Sequence, residues 1–306
     1  MPFAPVAFPS HLLFPLASSL LYVAAALSLK RASEHGTGVW RATFVMNFVV
    51  AACFSVMLLG PAGPGPRPLW QPAVIGALFM AGQALTMVAL NRGDVSVATP
   101  VMGTKVVFVA LFVTLVAGDR MTADYWLSAA ASAAGVALLH VGGAGKGHHH
   151  VLLTVAASLS AAMCYALFDV LVRKWAGAWG VGRLLPAIMG CAAVMSLALR
   201  PLFEGPITTI PRPARGPLLL GSVFLGLQAL FLVRTLGLYP DTTRINVVYN
   251  SRGLWSVLAV WLVGHWWGNT ERHAGRSAFG WRLAGAALLL AAIVVAVVRP
   301  IEGAAE

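Results

Sequence analysis

Two cations carry the most chemical information in this sequence. Lys105 and Arg252 each fall near the middle of an apolar run long enough to cross a bilayer. A charge at that depth costs about 2.5–3.5 kcal/mol on insertion scales, so such residues face protein or a water-filled cavity and tend to mark function. Each follows an aspartate by eleven residues, Asp94 in one case and Asp241 in the other, and both pairs are offset by 147 residues. Two cations at one depth suit an anion, which they can hold by charge-assisted hydrogen bonds.

The neighbours widen the set. Tyr249 lies one turn before Arg252 on nearly the same helical face, and Asn246, Asn250 and Ser251 make that run unusually polar. Thr99 and Thr104 do the same near Lys105, where Pro100 can free a backbone carbonyl. Gln83 and Gln228 match at an offset of 145, and Tyr22 and Tyr165 at 143. The candidate substrate-binding residues are therefore Lys105, Arg252, Tyr249, Asn246, Asn250, Thr104, Gln83, Gln228, Tyr22 and Tyr165. The competing role for the amides and hydroxyls is hydrogen bonding between helices. For the cations it is a buried ion pair. Asp169 is the acid that lies clearly inside a span, four residues before Arg173, which suits a local i,i+4 pair. Residue counting puts it about 12 Å from mid-depth, out of easy reach of Lys105.

The elements that must position these residues follow from composition. The chain has 306 residues, 59% hydrophobic and 10% charged, against about a quarter charged in a soluble domain. Its apolar residues come in blocks of about twenty, the length that spans a hydrocarbon core. Ten spans are expected, near 11–29, 41–60, 72–91, 95–117, 124–142, 151–173, 183–203, 215–238, 243–264 and 278–298. The fold class is an all-α polytopic membrane protein. Residues 1–10 hold no Lys or Arg, so the first block reads as a helix and not as a signal peptide.

The matched positions occur in order with a slowly drifting offset, which indicates a duplicated unit, 11–142 and 151–298. Five spans is an odd number, so the copies enter the bilayer from opposite sides. Inverted repeats of this kind place a solute site near the midplane, at the interface of the halves.

Other chemistry finds little support. The net charge of +11 is spread singly or in pairs over loops and span ends, without the basic stripe that nucleic acid requires. Cys53, Cys164 and Cys191 lie in separate apolar runs and read as core residues. His148, His149 and His150 sit in a glycine-rich linker with no second ligand cluster nearby, so no metal or cofactor is expected. No HExxH, GxSxG or pair of intramembrane carboxylates appears, which weighs against catalysis. An intramembrane enzyme, or a scaffold or receptor subunit, is the alternative to a transporter.

The run ALNRGDVSVATPV (89–101), the apolar helix after it, AGDRM (117–121) and a Gly/Ala-rich helix resemble the half-repeat of the drug/metabolite transporter superfamily, in particular its EamA-type ten-helix transporters. The likeness covers about residues 11–298. The second copy departs from it, with Gly264-His265 where the first has Gly118-Asp119. The resemblance implies a secondary-type transporter that moves a small organic metabolite by alternating access, in a bacterial-type plasma (inner) membrane. The triose-phosphate and nucleotide-sugar branches are similar in placing cations in these helices, which implies an anion such as an organic phosphate or carboxylate.

Overall fold

The computed structural model describes residues 9–60, 68–92, 101–118, 122–139, 151–263 and 276–298. Asp94, Thr99, Pro100, Asp119, His148–His150 and His265 lie outside them. The described residues are mostly helical, with no strand among them. In chain order the helices are α1 (Leu13–Glu34), α2 (Val39–Ser55), α3 (Trp70–Arg92), α4 (Lys105–Phe112), α5 (Ala123–Leu139), α6 (Val151–Trp179), α7 (Val181–Met195), α8 (Arg212–Leu238), α9 (Thr242–Tyr249), α10 (Arg252–Val263) and α11 (Arg276–Val298).

Among the described residues, six helical stretches are long and apolar enough to span a bilayer: Ser10–Glu34, Val39–Leu59, Trp70–Ala89, Leu152–Trp179, Val181–Leu202 and Arg212–Leu238. Val101–Val116 and Ala284–Val295 are shorter apolar helices. Their surfaces carry large exposed side chains such as Leu59, Leu115 and Leu152, while serines, threonines, Asn47, Gln83 and Gln228 point inward. That distribution suits lipid as the outer solvent, because a helix satisfies its own backbone and leaves only side chains to face hydrocarbon. Trp70 and Trp175 meet edge to face, and Trp179 Nε1 donates to Gln71 Oε1 at 2.6 Å, forming an aromatic cluster at one helix end.

Small residues set the helix spacing. α5 lies on α11 where Gly135 faces the backbone of Gly285 and Leu289, and an added Cβ would sit 3.0 Å from the Gly285 carbonyl oxygen. Gly226 of α8 meets the Cys53 side chain of α2, and Gly76 of α3 meets the α7 backbone at Ile188. A core of Val50, Phe54, Ile75, Phe168, Leu185, Ile188 and Val233 joins α2, α3, α6, α7 and α8. The turns into α2 and α7 are built alike, with Gly38 at φ 79° and Gly180 at φ 75°, a left-handed conformation that favours glycine.

Two expectations need correction. The span expected at 151–173 continues to Trp179, so α6 is longer than its hydropathy suggested. The runs holding the two cations are also not uniform helices. Near Lys105 the Thr104 amide bonds to the Val101 carbonyl and the Val107 amide to that of Thr104. Near Arg252 the Ser251 amide bonds to the Val248 carbonyl and the Gly253 amide to that of Asn250. In both places i→i+3 bonding tightens the helix just before the cation, a feature often found at functional hinges. The α4 run ends in a π-helical turn, Val113–Ala117, where Lys174 donates to the freed Val116 carbonyl at 3.0 Å.

Gly135→Ala should lower the melting temperature in detergent, because overpacking against fixed backbone costs about 1–3 kcal/mol. Gly177→Ala, where an added Cβ meets nothing within 4 Å, should leave it level or slightly raised.

Candidate functional site

A cavity of about 240 Å³ lies inside the bundle. It is bordered by α1, α2, α3, α6 and α8, by the α4 run and by the junction of α9 and α10. Seven of the ten sequence candidates line it: Tyr22, Gln83, Lys105, Tyr165, Gln228, Tyr249 and Arg252. Met46, Phe79, Met102 and Phe168 supply much of the apolar wall. An apolar chamber with a few convergent polar groups is the usual form of a small-molecule site.

Lys105 and Arg252 are held differently. Lys105 Nζ lies 2.7 Å from Asp169 Oδ2, with side chains 12% and 2% exposed. This overturns the expectation that Asp169 is out of reach. Because α6 runs on to Trp179, Asp169 is only four residues past its middle, about 6 Å along the axis, and a lysine side chain bridges that. Val109, Val113, Ala166 and Val170 pack α4 on α6 beside the pair and limit its hydration.

Arg252 has no carboxylate partner among the described residues. Its guanidinium carbon lies 4.8 Å from the Tyr22 ring centroid and 4.7 Å from that of Tyr249, and Nη1 donates to the Tyr249 hydroxyl at 3.1 Å. The two rings meet edge to face, 6.3 Å apart. Tyrosine faces hold a guanidinium through the ring quadrupole without neutralising it. The cavity wall therefore carries two cations and one carboxylate, a net charge of one positive unit by formal count.

The glutamines and tyrosines divide by role. Gln228 Nε2 donates to Ser18 Oγ at 3.1 Å, and that hydroxyl donates to the Gln228 carbonyl at 2.9 Å, which ties α8 to α1. Gln83 Oε1 is buried and accepts no hydrogen bond from the described residues. Tyr165 lies over Gly82, where a Cβ would come within 2.8 Å of its ring, and meets Phe79 edge to face.

Asn246, Asn250 and Thr104 do not line the cavity. Thr104 Oγ1 donates to the Val101 carbonyl at 2.6 Å, Asn246 Nδ2 to the Thr242 carbonyl at 3.0 Å, and Asn250 Nδ2 to Ser132 Oγ of α5 at 2.8 Å. The first two bonds are local and the third joins helices, the roles that compete with ligand binding for such residues. Asp169, Thr86 and Phe168 line the cavity without having been among the candidates. For Asp169 the signal was present, as the acid within a span; only its depth was misread. Among the described residues no three His, Cys, Asp or Glu side chains converge as metal ligands would.

Lys105→Met should leave the Asp169 carboxylate buried and unpaired, and so destabilise the fold by about 3–5 kcal/mol. Adding Asp169→Asn should restore most of the loss, since the neutral pair needs no counter-charge. Melting temperatures of both single variants and the double variant in one detergent measure the coupling.

Comparison with known proteins agrees with this architecture. No curated protein matches. A solved structure, titled only as a crystal structure of a protein, has the same fold at TM-score 0.73 and 18% identity, covering 97% of this chain and 100% of that one. The chain is an integral, multi-pass membrane protein with an all-helical fold. Residues 9–141 match the model of the EamA-like transporter family. Over those residues the chain is similar to the EamA-like transporters, part of the drug/metabolite transporter superfamily, whose members carry small molecules across membranes.

Proposed function

We propose that the protein is a secondary-type transporter that binds a small organic anion in the central cavity and moves it by alternating access. The observation that carries this is Arg252, a cavity-lining cation held by tyrosine rings and lacking a carboxylate partner among the described residues. A carboxylate or phosphate group at the open edge of its planar fork would be bonded in the geometry that arginine favours. One negative charge would bring the cavity to neutrality. A second would draw on Lys105 and loosen its bond to Asp169.

The reading includes ten spans in two inverted five-helix repeats, 11–142 and 151–298. Several features support the repeat. Exchanging each span for its counterpart turns the packing of α1 on α8 into that of α3 on α6, and the packing of α2 on α8 into that of α3 on α7. The contact of α4 with α6 becomes that of α1 with α9 and α10, and α5 with α11 maps onto itself. The paired glycine turns at Gly38 and Gly180, and the tightened helix before each cation, follow the same exchange. Two halves that rock about a midplane site are the usual use of such an architecture. A bacterial-type inner membrane fits the helical, multi-pass build.

A thermal-shift screen in detergent should use singly charged organic carboxylates and organic phosphates. A ligand that binds the folded state raises its apparent stability by mass action. Arg252→Met should weaken the hit by about ten- to a hundred-fold, the value of one charge-assisted hydrogen bond. Arg252→Lys should also weaken it, because a flat fork becomes a point charge. An affinity left unchanged by Arg252→Met would overturn the anion site.

A further inference from the structure

A second polar cluster lies away from the cavity. It joins the start of α1, the start of α5 and the start of α9. His11 Nε2 is 2.9 Å from Asp241 Oδ2, and Arg244 Nη1 is 3.5 Å from the same oxygen. Arg244 Nη2 donates to the Tyr125 hydroxyl at 3.3 Å. The His11 ring stacks on Tyr239 with centroids 4.3 Å apart. Side-chain exposure is 4% for Asp241, 6% for Arg244 and 17% for His11. Asp241 and Arg244 belong to the second half of the chain, while His11 and Tyr125 belong to the first. Every polar link named here, apart from Asp241–Arg244, crosses between the halves.

An apolar layer separates this cluster from the cavity. Leu12, Leu236, Ile245 and Val248 are buried together, next to Leu232 and Tyr249 of the cavity wall. The α1 residues that line the cavity run from Tyr22 to Leu29, away from His11, and continue at Thr43 and Met46 of α2. Among the described residues, then, the cavity extends toward the α1–α2 turn and is stopped on the His11 side by an apolar plug under a polar clasp.

The sequence shows that the clasp is an addition to the duplicated unit. The repeat offset places Asp94 opposite Asp241, but the residues opposite His11 and Arg244 are Thr154 and Val97. An aspartate at this turn is common to both copies. At the matching positions the sequence carries no second histidine or arginine.

We infer that His11, Tyr125, Asp241 and Arg244 form a gate at the α1-start end, closed over the Leu12–Leu236–Ile245–Val248 plug, which must part for the cavity to reach that face. The closed clasp is incompletely satisfied. Asp241 Oδ1 is buried and accepts no hydrogen bond from the described residues. A half-satisfied polar network holds less firmly than a complete one and is the easier to release. The inference rests on the alternating-access reading, but its test needs no solute, so its failure would leave the Arg252 site standing.

The experiment starts from the full chain with Cys53, Cys164 and Cys191 replaced by alanine. A single cysteine is introduced at the plug, Ile245→Cys, or as a control in the core between α2, α3 and α7, Leu184→Cys; both native side chains are fully buried. Labelling by a small methanethiosulfonate reagent in detergent is timed with and without Asp241→Asn, a near-isosteric change. His11→Ala provides a second, independent lesion of the clasp. Each lesion should speed labelling at the plug by about ten- to a hundred-fold, the equilibrium shift one charge-assisted hydrogen bond controls, and leave the control site slow. Unchanged plug labelling in both variants would overturn the gate. So would equal acceleration at both sites, which would mean that the clasp braces the whole fold.

Discussion

A lysine and an aspartate 2.7 Å apart, inside a bundle whose outer surface suits lipid, constrain everything around them. Either charge would be costly there alone, because desolvation outweighs any single dipole the helices provide. Each therefore fixes the position of the other, and with it the contact of α4 on α6. The apolar shell of Val109, Val113, Ala166 and Val170 keeps that contact dry enough for the pair to matter. Arg252 stands apart. Its charge is accommodated by two tyrosine faces and one hydroxyl, which lower its cost without cancelling it. The cavity wall therefore carries a compensated pair and, against the same Tyr249 ring that Lys105 approaches, a cation with no carboxylate partner among the described residues.

The same charges explain why the helices around them are irregular. A cation in mid-helix has to reach its partner past the side chains of the preceding turn. The tightened i→i+3 bonding before Lys105 and before Arg252 changes the direction in which those side chains leave the backbone. Thr104 and Asn250 then serve the irregularity, one by bonding back to Val101 and the other by anchoring to Ser132 of a neighbouring helix. Close helix contact comes from glycine at Gly76, Gly135 and Gly226.

The two ends of the cavity differ among the described residues. Toward the α1–α2 turn the cavity wall continues to Leu29 and Thr43. Toward His11 it stops at a layer of fully buried leucine and isoleucine beneath charged side chains from both halves. Apolar side chains exclude water, and the polar groups above them fix which helices are held together.

Much of this was legible in the linear chain. Runs of apolar residues about twenty long dictate helices and lipid, because no other backbone satisfies itself in hydrocarbon. A lone charge in such a run must face inward, which singled out Lys105 and Arg252 and, through the repeat, Tyr22, Tyr165, Gln83 and Gln228. Depth and partnership were not legible. Hydropathy ends a span where charges begin, so α6 was cut at Arg173 although it continues to Trp179, and Asp169 was placed too near the surface. Whether Asn246, Asn250 and Thr104 face a solute or a neighbouring carbonyl depends on rotation about the helix axis and on the local tightening, which composition does not encode. The pairing of Lys105 with Asp169, the tyrosine cage around Arg252 and the meeting of His11 with Asp241 join residues 64, 230 and 230 positions apart, counting Lys105–Asp169, Tyr22–Arg252 and His11–Asp241. Such contacts exist only once the helices are packed, because packing alone decides which buried charge meets which.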